Sequence, residues 1–372
     1  MPLRYAVIGA GMMGQEHIRN ITLLKDARVT AIADSNPQMR DEATALATAH
    51  GHNDVRTFET HAPLLNGVLD DIDAFVVVTP NDTHIAIMRD LMATDKPVLL
   101  EKPSATKKDD AWWLADAARQ RQAPIWVGME YRFMPAVTKL IDETKSGAAG
   151  TPHMMSIVEH RFPFLDKIDM WNRSSKRTGG TMVEKCCHFF DLMRLLTNSE
   201  PVRLFASGGQ NVNYIEDFDD PTHEAVIDNA YVIVDFDNGV RASLDLCMFA
   251  EGSWWQEQVA VIGDKAKLVA SIPGPQRFNQ DRDERVSQYG IFPRGGARRH
   301  IEDVHLDKHL LDAGDHHGST YFQHRAFADM VQTQAHPQVS LDDGAMAVEM
   351  GAAAEEAIRE KRAIEITARP RS

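Results

Sequence analysis

The N-terminal sequence RYAVI-GAGMMG-QEHIRNITLL, residues 4–24, decides the fold of the first part of the chain. Residues 4–8 suit a short buried strand, and residues 15–24 have the apolar spacing of a helix. Between them, Gly9, Gly11 and Gly14 form the pattern G-x-G-x-x-G. The first glycine permits a tight turn, the second lets backbone approach a pyrophosphate, and the third allows close packing of helix and strand. This stretch therefore predicts a dinucleotide-binding turn.

Asp34 ends the next predicted strand, residues 29–33, about twenty residues after the glycines. Its carboxylate is expected to accept hydrogen bonds from the adenosine ribose and to repel a 2′-phosphate, so NAD is predicted rather than NADP. Arg40 would favour NADP if its side chain folded back. An N-cap role is also open to Asp34, because Pro37 is a suitable first helical residue. The other predicted cofactor contacts are Met12, Met13, Thr79, Pro80, Asn81, His84, Glu101 and Lys102, with an N-cap role open to Asn81.

Strand and helix patterns alternate as far as residue 128. The predicted segments are strands at 74–78, 98–100 and 125–127 and helices at 43–49, 85–93 and 109–121. This alternation predicts parallel strands in a doubly wound α/β sheet. Glu101-Lys102-Pro103 follows a late strand, and ligands in such sheets lie beyond the carboxyl ends of the strands. Lys102 is therefore expected to reach a group bound against the nicotinamide.

The pattern changes after Gly128. The predicted segments are strands at 154–160, 203–208, 230–236, 241–249 and 258–262 and helices at 136–145, 187–196, 321–333 and 344–361. Asp237-Asn238-Gly239 predicts a hairpin between two of the strands. Residues 129–372 are thus expected to form an α+β domain with an open, mostly antiparallel sheet, after a nucleotide-binding domain at 1–128. The helix near 344–361 could pack back on the first domain, and residues 273–314 are expected to be long loops.

Composition limits the classes of protein to consider. A length of 372 residues favours two domains. A formal net charge of -14 argues against a nucleic-acid-binding surface. No apolar run has the length of a membrane span, and the N-terminus lacks the layout of a signal peptide. Three cysteines, two of them adjacent, give no disulfide framework, so the cytoplasm is expected.

Further motifs follow the glycine pattern along the chain. They are Thr79-Pro80-Asn81-x-x-His84, Glu101-Lys102-Pro103, GMEYRF at 128–133, Glu184-x-x-x-His188-x-x-Asp191 and DHHGS at 315–319. With these motifs the chain resembles the Gfo/Idh/MocA oxidoreductases, the family of inositol dehydrogenases and glucose–fructose oxidoreductase, over essentially its whole length. The resemblance implies a Rossmann domain followed by an open antiparallel sheet that often mediates oligomerisation, and hence a homodimer or homotetramer.

Residues 184–188, EKCCH, carry the predicted catalytic chemistry. The resembling family usually has Asp-x-x-x-His here, so Glu184 replaces an aspartate. Oxidation of a secondary alcohol needs a base, and histidine titrates near neutrality. We therefore predict His188 as general base, Lys102 as stabiliser of alkoxide charge, and Glu184 as a residue that orients the imidazole or contacts a substrate hydroxyl. Glu184 and His188 would share one face of a helix.

Plain structural roles are the alternative for these residues: His188 could be a satisfied helix histidine and Lys102 a solvated lysine at a strand end. A zinc site at Cys186, Cys187 and His188 is disfavoured, because adjacent helical residues point in different directions. No metal is therefore predicted.

The loop at 161–177 is polar and contains one tryptophan, which suits a sugar or polyol substrate. A solvated loop anchored by Trp171 is the alternative. The predicted substrate-binding residues are Lys102, Tyr131, Arg132, Arg161, Trp171, Asn172, Arg173, Glu184, His188 and His317.

The predicted function is an NAD-dependent dehydrogenase that transfers hydride between a secondary alcohol of a sugar, glycoside or inositol and nicotinamide. One alternative is a redox-neutral epimerase, lyase or glycosidase that keeps NAD bound. The other is a cofactor-bound sensor without catalysis; such sensors tend to lose the lysine–histidine pair, whereas Lys102 and His188 are both present here.

Overall fold

The computed structural model describes residues 2–215, 226–275, 278, 285–367 and 369. The chain divides into two compact units, the first formed by residues 1–130 and 308–348, the second by residues 131–307 and 349–372. The expected two-part division at residue 128 differs from this in the placement of residues 308–348. They group with the first unit because they bond to it: the Val127 N–H donates to the carbonyl of Val339 at 3.1 Å.

The first unit contains a six-stranded parallel sheet, as predicted. Its elements are β1 (Leu3–Ile8), α1 (Met12–Thr22), β2 (Ala27–Ala33), α2 (Pro37–Ala49), β3 (Arg56–Phe58), α3 (His61–Val68), β4 (Ala74–Val77), α4 (His84–Leu91), β5 (Val98–Leu100), α5 (Lys108–Ala118) and β6 (Ile125–Val127). The strand order is β3-β2-β1-β4-β5-β6. The order reverses between β1 and β4, and a crevice for ligands opens beyond the carboxyl ends of strands at such a point. The short edge elements β3 and α3 were not predicted.

The second unit is built on a nine-stranded sheet. Its elements before residue 307 are α6 (Pro135–Lys145), β7 (Pro152–His160), α7 (Ser175–Thr178), α8 (Thr181–Glu184), α9 (Cys187–Thr197), β8 (Pro201–Gly209), β9 (Asn229–Phe236), β10 (Arg241–Cys247), β11 (Glu257–Gly263), β12 (Ala266–Ile272), β13 (Ser287–Pro293) and β14 (His300–Val304). The β7–β10 pair is parallel and the other pairs are antiparallel. The predicted hairpin joins β9 to β10, with Gly239 at a φ of 84°.

The expectation of long loops at 273–314 was wrong for much of its described part. β13 pairs with β12 and β14 pairs with β13 within this stretch. Gly290 and Pro293 suggested turns, but Gly290 pairs with both Val269 and Ile301, and Pro293 is the last residue of β13, beyond the part that pairs with β14. Residues 276–277 and 279–284 of the same stretch lie outside the described residues.

The chain ends with α10 (Lys308–Leu311), α11 (Ser319–Thr333), α12 (Leu341–Glu360) and β15 (Ile364–Glu365). β15 adds to β8, which completes the order β14-β13-β12-β11-β7-β10-β9-β8-β15. None of the helices in the described ranges combines the length and apolar composition that a bilayer crossing requires.

Candidate active site

The glycine turn has the geometry that the sequence predicted. Gly9 has a φ of 103°, and a Cβ there would lie 2.6 Å from the carbonyl oxygen of Val78. A Cβ on Gly14 would overlap the carbonyl of Gly9, so α1 approaches β1 too closely for any side chain. A Cβ on Gly11 would meet nothing within 4 Å. The turn therefore leaves open space at the first N–H groups of α1, where a pyrophosphate binds in such motifs.

Asp34 ties the end of β2 to this turn. Its Oδ2 accepts the Ala10 N–H at 2.7 Å, and its Oδ1 accepts the Asn36 N–H at 2.8 Å. The N-cap of α2 is Asn36, whose side chain accepts from Gln38 and Met39, so the N-cap alternative for Asp34 was wrong. Arg40 does fold back: its guanidinium donates to the backbone carbonyl of Asp34 at 2.5 Å.

The turn after β4 holds the next predicted cofactor residues. Asn81 is buried, and its Nδ2 has no hydrogen-bond partner among the described residues. Thr83 occupies the N-cap position of α4 without a capping side-chain bond, so Asn81 is not the N-cap of this helix. The ring nitrogens of the buried His84 lie 3.0 Å from the carbonyl of Thr79 and 2.9 Å from that of Pro103. His84 thus joins this turn to the one after β5.

Glu101 lies at the end of β5 with its carboxylate buried. Oε1 lies 3.1 Å from Nε2 of His17, and Oε2 accepts the Lys102 N–H at 3.1 Å. Burial opposes ionisation, but the His17 contact and the Lys102 charge hold the pKa of Glu101 below its usual value. A Cβ on Gly128 would lie 2.6 Å from Oε1, which explains the glycine there. The contacts of the Glu101 side chain therefore stabilise the end of β5, next to the half-buried Lys102.

A second buried group in the first unit consists of Glu16, Glu130, His316 and Thr320, here the Glu16 cluster. His316 Nδ1 lies 2.7 Å from Glu16, and the Thr320 hydroxyl contacts both carboxylates, at 2.9 and 2.7 Å. Burial raises the pKa of Glu130, whereas the His316 imidazole overcomes burial and lowers that of Glu16 to about 2. The cluster is thus held together by the His316 imidazole and the Thr320 hydroxyl, which contact the two glutamates.

In the second unit, the predicted catalytic residues lie at a break between two helices. α8 ends at Glu184 and α9 begins at Cys187, where the predicted helix also begins, so the expectation that Glu184 and His188 share one helix face was wrong. Both side chains are nevertheless buried, with Glu184 4% and His188 2% exposed. The ammonium of Lys167 lies 3.9 Å from Oε1 of Glu184.

The imidazole of His188 stacks on the ring of Tyr131, with centroids 4.1 Å apart and planes within 8°. Lys185, which occupies the break between α8 and α9, is itself buried and donates to the Tyr131 hydroxyl at 2.6 Å. Its ammonium also lies 2.8 Å from Glu159. The Tyr131 hydroxyl in turn lies 3.2 Å from Glu257. Tyr131, Glu159, Lys185 and Glu257 are called the Lys185 network below.

Two family models together match most of the chain. An oxidoreductase-family model of an NAD-binding Rossmann fold matches residues 3–129, and that family's C-terminal alpha/beta domain matches residues 143–366. The chain belongs to the Gfo/Idh/MocA oxidoreductase family. NAD is therefore the cofactor of its first domain. The open space at Gly11, the Asp34 carboxylate and the Asn81 Nδ2, which has no partner in the described part of the chain, fit a dinucleotide.

Relatives in this family include sugar and polyol dehydrogenases. The chain is 32% identical to inositol 2-dehydrogenase of Rhizobium meliloti over 56% of its own length and 58% of that protein, so the match spans a little over half of that relative. It is 23% identical to myo-inositol 2-dehydrogenase of Thermotoga maritima over 98% of both chains. The structure of levoglucosan dehydrogenase in complex with NADH superposes with a TM-score of 0.80 at 19% identity, covering 99% of this chain and 100% of the other.

Arg132 of this Gfo/Idh/MocA protein was predicted to bind substrate, and in the structure it pairs with Asp191. Its Nε donates to Oδ2 of Asp191 on α9 at 2.6 Å, and its Nη2 bonds the other oxygen. The carboxylate is buried, and the arginine side chain is 9% exposed. The pair anchors the segment after β6 to α9, and a substrate contact by Arg132 stays a prediction.

The loop residues predicted to contact substrate differ in the groups that they contact in the structure. The ammonium of Lys167 lies 4.5 Å from the ring centroid of Trp171, and the Asn172 amide donates to the carbonyl of Leu165 at 2.9 Å. The buried Oδ1 of Asn172 has no partner among the described residues. Arg173 stacks on Tyr214, 4.0 Å from its centroid, and pairs with Asp166. Arg161 stacks on Phe162, 4.3 Å from its centroid.

The two histidines before α11 lie in different surroundings, and a substrate contact by His317 stays a prediction. His317 has a φ of 50° and is half-buried, whereas its neighbour His316 enters the Glu16 cluster. Among the described residues, the group with metal-ligand spacing is Glu16, Glu130 and His316, and it does not include Cys186 or Cys187. Burial raises the pKa of the Cys186 thiol well above its ordinary value.

The Lys185 network was not predicted, although the sequence held a signal for it. Glu159 follows Met155 and Ile157 at the inward positions of β7, and Glu257 precedes Val259 and Val261 at those of β11. A charged residue at an apolar position of an alternating strand indicates a buried partner.

Proposed function

We propose that this protein is an NAD-dependent dehydrogenase that oxidises a secondary alcohol of a sugar, glycoside or inositol. The observation that carries the proposal is the buried imidazole of His188, held against Tyr131 in a protein whose first domain is an NAD-binding Rossmann fold. The relatives named inositol 2-dehydrogenase and levoglucosan dehydrogenase support the substrate class.

Each residue has a chemical role in this proposal. NAD, when bound, supplies the oxidant for the alcohol. His188 takes the hydroxyl proton, because imidazole titrates near neutrality. Lys102 donates a hydrogen bond to the reacting oxygen and stabilises its developing negative charge. Glu184 accepts a hydrogen bond from a substrate hydroxyl, and the ammonium of Lys167 stabilises the charge of its carboxylate.

The test is absorbance at 340 nm with purified protein, NAD or NADP, and a panel of inositols, aldoses and glycosides. We expect a rise with NAD and at least one panel member, and its loss in His188→Asn and Lys102→Met. No rise together with tightly bound NAD in the denatured sample would replace the proposal by a redox-neutral reaction. Nucleotide binding without turnover of any panel member would favour a sensor.

We also propose that the exposed face of the nine-stranded sheet pairs with a second copy of the chain. Phe205, Tyr231 and Ile233 are exposed on neighbouring strands β8 and β9, and Phe205 lies opposite Ile233. An apolar patch of this kind is typical of a subunit interface. We expect a dimer or tetramer in light scattering, and dissociation in Ile233→Lys but not in the control Leu311→Lys, a substitution at an exposed leucine of the first unit. A monomeric wild-type protein would refute this.

The cytoplasm is the compartment we propose for the enzyme. Cys186 and Cys187 carry buried thiols, and Cys247 is half-buried. A reducing compartment keeps such thiols reduced. Fractionation of cells that express the full chain, with a known cytoplasmic enzyme as marker, tests this.

A further inference from the structure

We propose that Lys185 is a positioning residue of the dehydrogenase: through the hydroxyl of Tyr131 it fixes the ring on which the His188 imidazole stacks. This inference rests on the proposed function, in which His188 takes the substrate proton. In this proposal Lys185 itself does not contact the substrate.

The first step is the pairing of two buried glutamates. Glu159 on β7 and Glu257 on β11 lie directly opposite each other across an antiparallel pair. Both are buried at 0% and 1% exposure. Like charges directly opposite each other destabilise a sheet, and burial makes the repulsion stronger. Such a pair needs a cation or a proton beside it.

Lys185 supplies that cation from the break between α8 and α9. Its ammonium lies 2.8 Å from Glu159 and 2.6 Å from the Tyr131 hydroxyl. Burying a lysine is costly, so a buried lysine needs several partners. A lysine that only balanced the charge of the two glutamates would not need a bond to Tyr131. Lys185 also donates to the Tyr131 hydroxyl.

The third step links the phenol to the base. The Tyr131 hydroxyl is bonded from one side by Lys185 and reaches Glu257 on the other, at 3.2 Å. A ring held at its hydroxyl by two partners cannot tilt freely. Because His188 stacks on that ring within 8° of parallel, the plane of the imidazole is fixed as well. Proton transfer depends steeply on such alignment.

Charged groups around Lys185 make the network sensitive to pH. Burial and the charge of Arg161 lower the pKa of Lys185, against the opposing effect of Glu159 and Glu257. Burial and the Glu159 charge raise the pKa of Glu257 to about 7. Near neutrality Glu257 therefore gains a negative charge beside the Tyr131 hydroxyl that donates to it.

The experiment uses the full-length enzyme with NAD and the panel sugar or polyol that gives the highest rate. Lys185→Met removes the cation at similar volume, and Tyr131→Phe keeps the stacked ring but removes the hydroxyl. The matched control is Lys139→Met, because Lys139 also pairs with a glutamate, Glu302, and lies 5.3 Å from a tyrosine ring, that of Tyr289. The readouts are kcat, the KM for NAD, the pH profile of kcat/KM and the melting temperature.

We expect Lys185→Met and Tyr131→Phe each to lower kcat about 10- to 100-fold and to move the pH profile, with the KM for NAD unchanged. The double variant should lose no more than the worse single variant, because both changes break one connection. Lys139→Met should behave as wild type. If Lys185→Met does not fold, Tyr131→Phe decides the question, since it removes only one oxygen atom.

Two outcomes would overturn the inference. If His188→Asn is inactive while both variants keep the wild-type kcat and pH profile, or if their losses simply add, Lys185 does not act through Tyr131 and the proposed function stands. If His188→Asn retains turnover, the base assignment and this inference fail together.

Discussion

The carboxylate of Asp34 accepts a hydrogen bond from the backbone N–H of Ala10, 2.7 Å away, inside the glycine turn. This bond joins the end of β2 to the loop between β1 and α1. The acidic side chain is therefore held in place before any nucleotide binds. Arg40, which bonds the carbonyl of the same Asp34, brings a cation to this position as well.

Asp34→Ser should therefore weaken the preference for NAD over NADP. Removing the carboxylate removes a charge that repels a 2′-phosphate, and Arg40 remains to attract one. We expect the ratio of dissociation constants, measured by calorimetry for the two nucleotides, to shift about tenfold or more towards NADP. The double variant Asp34→Ser/Arg40→Ala should lose that gain. An unchanged ratio in Asp34→Ser would show that Asp34 does not select the cofactor.

Gly11 and Gly14 offer a matched pair of substitutions to alanine. A Cβ at Gly14 would overlap the carbonyl of Gly9, whereas one at Gly11 would stand in open space. Gly14→Ala should lower the melting temperature by forcing α1 away from β1. Gly11→Ala should melt as wild type but bind NAD about tenfold or more weakly, because the methyl group takes space proposed for the pyrophosphate. Equal NAD affinity in Gly11→Ala and wild type would exclude that placement.

The features that the sequence predicted well are local ones. The glycine turn and the strand that ends at Asp34 lie within 34 residues, and strand and helix periodicity specify them directly. The hairpin at Asp237-Asn238-Gly239 is a local turn signal of the same kind.

What the sequence did not predict depends on distant residues or on a backbone break. His316 meets Glu16 across 300 residues, and no local sequence pattern joins the two positions. The break at Lys185 separates Glu184 from His188, although a four-residue spacing suggested one helix. β13 was missed because its hydrogen-bond partner, β12, decides its state more than its own glycine and proline do.

Glu184→Asp restores the residue that resembling proteins usually carry, and we expect it to lower activity. The shorter side chain withdraws the carboxylate from Lys167, whose ammonium now lies 3.9 Å away. Displacement by about one ångström can cost up to about 100-fold in rate, so kcat/KM for the best panel substrate should fall about tenfold or more. Glu184→Gln, which keeps length but not charge, serves as the comparison. Full activity in Glu184→Asp would mean that the carboxylate position is not critical.

Arg132→Met should destabilise the protein strongly. The substitution leaves Asp191 with its charge buried, and breaking a buried pair in this way costs about 3–5 kcal/mol. Arg203→Met removes an arginine that also pairs with an aspartate, Asp235, but in an exposed position. Urea unfolding should separate the two variants, with Arg203→Met close to wild type. Similar stability in both would show that the Arg132–Asp191 pair is not structurally important.

Glu257→Gln should remove a pH dependence of stability. Burial and Glu159 raise the pKa of Glu257 from 4.5 to about 7. The stabilisation from its bound proton is complete below 4.5 and is lost as pH rises through about 7. That loss amounts to about 3 kcal/mol. The free energy of unfolding should thus decline between pH 5 and pH 8 in wild type and decline less in Glu257→Gln.

Glu302→Gln is the control for that measurement, because the pKa of Glu302 is lowered whereas that of Glu257 is raised. The hydrogen bond from Lys139 lowers the pKa of Glu302, so its contribution is present above the unfolded value and is lost only in acid. Glu302→Gln should leave the slope between pH 5 and pH 8 unchanged. If Glu257→Gln also leaves it unchanged, Glu257 is ionised throughout that range, and the Glu159–Glu257 pair is then neutralised by Lys185 and Arg161 rather than by a proton.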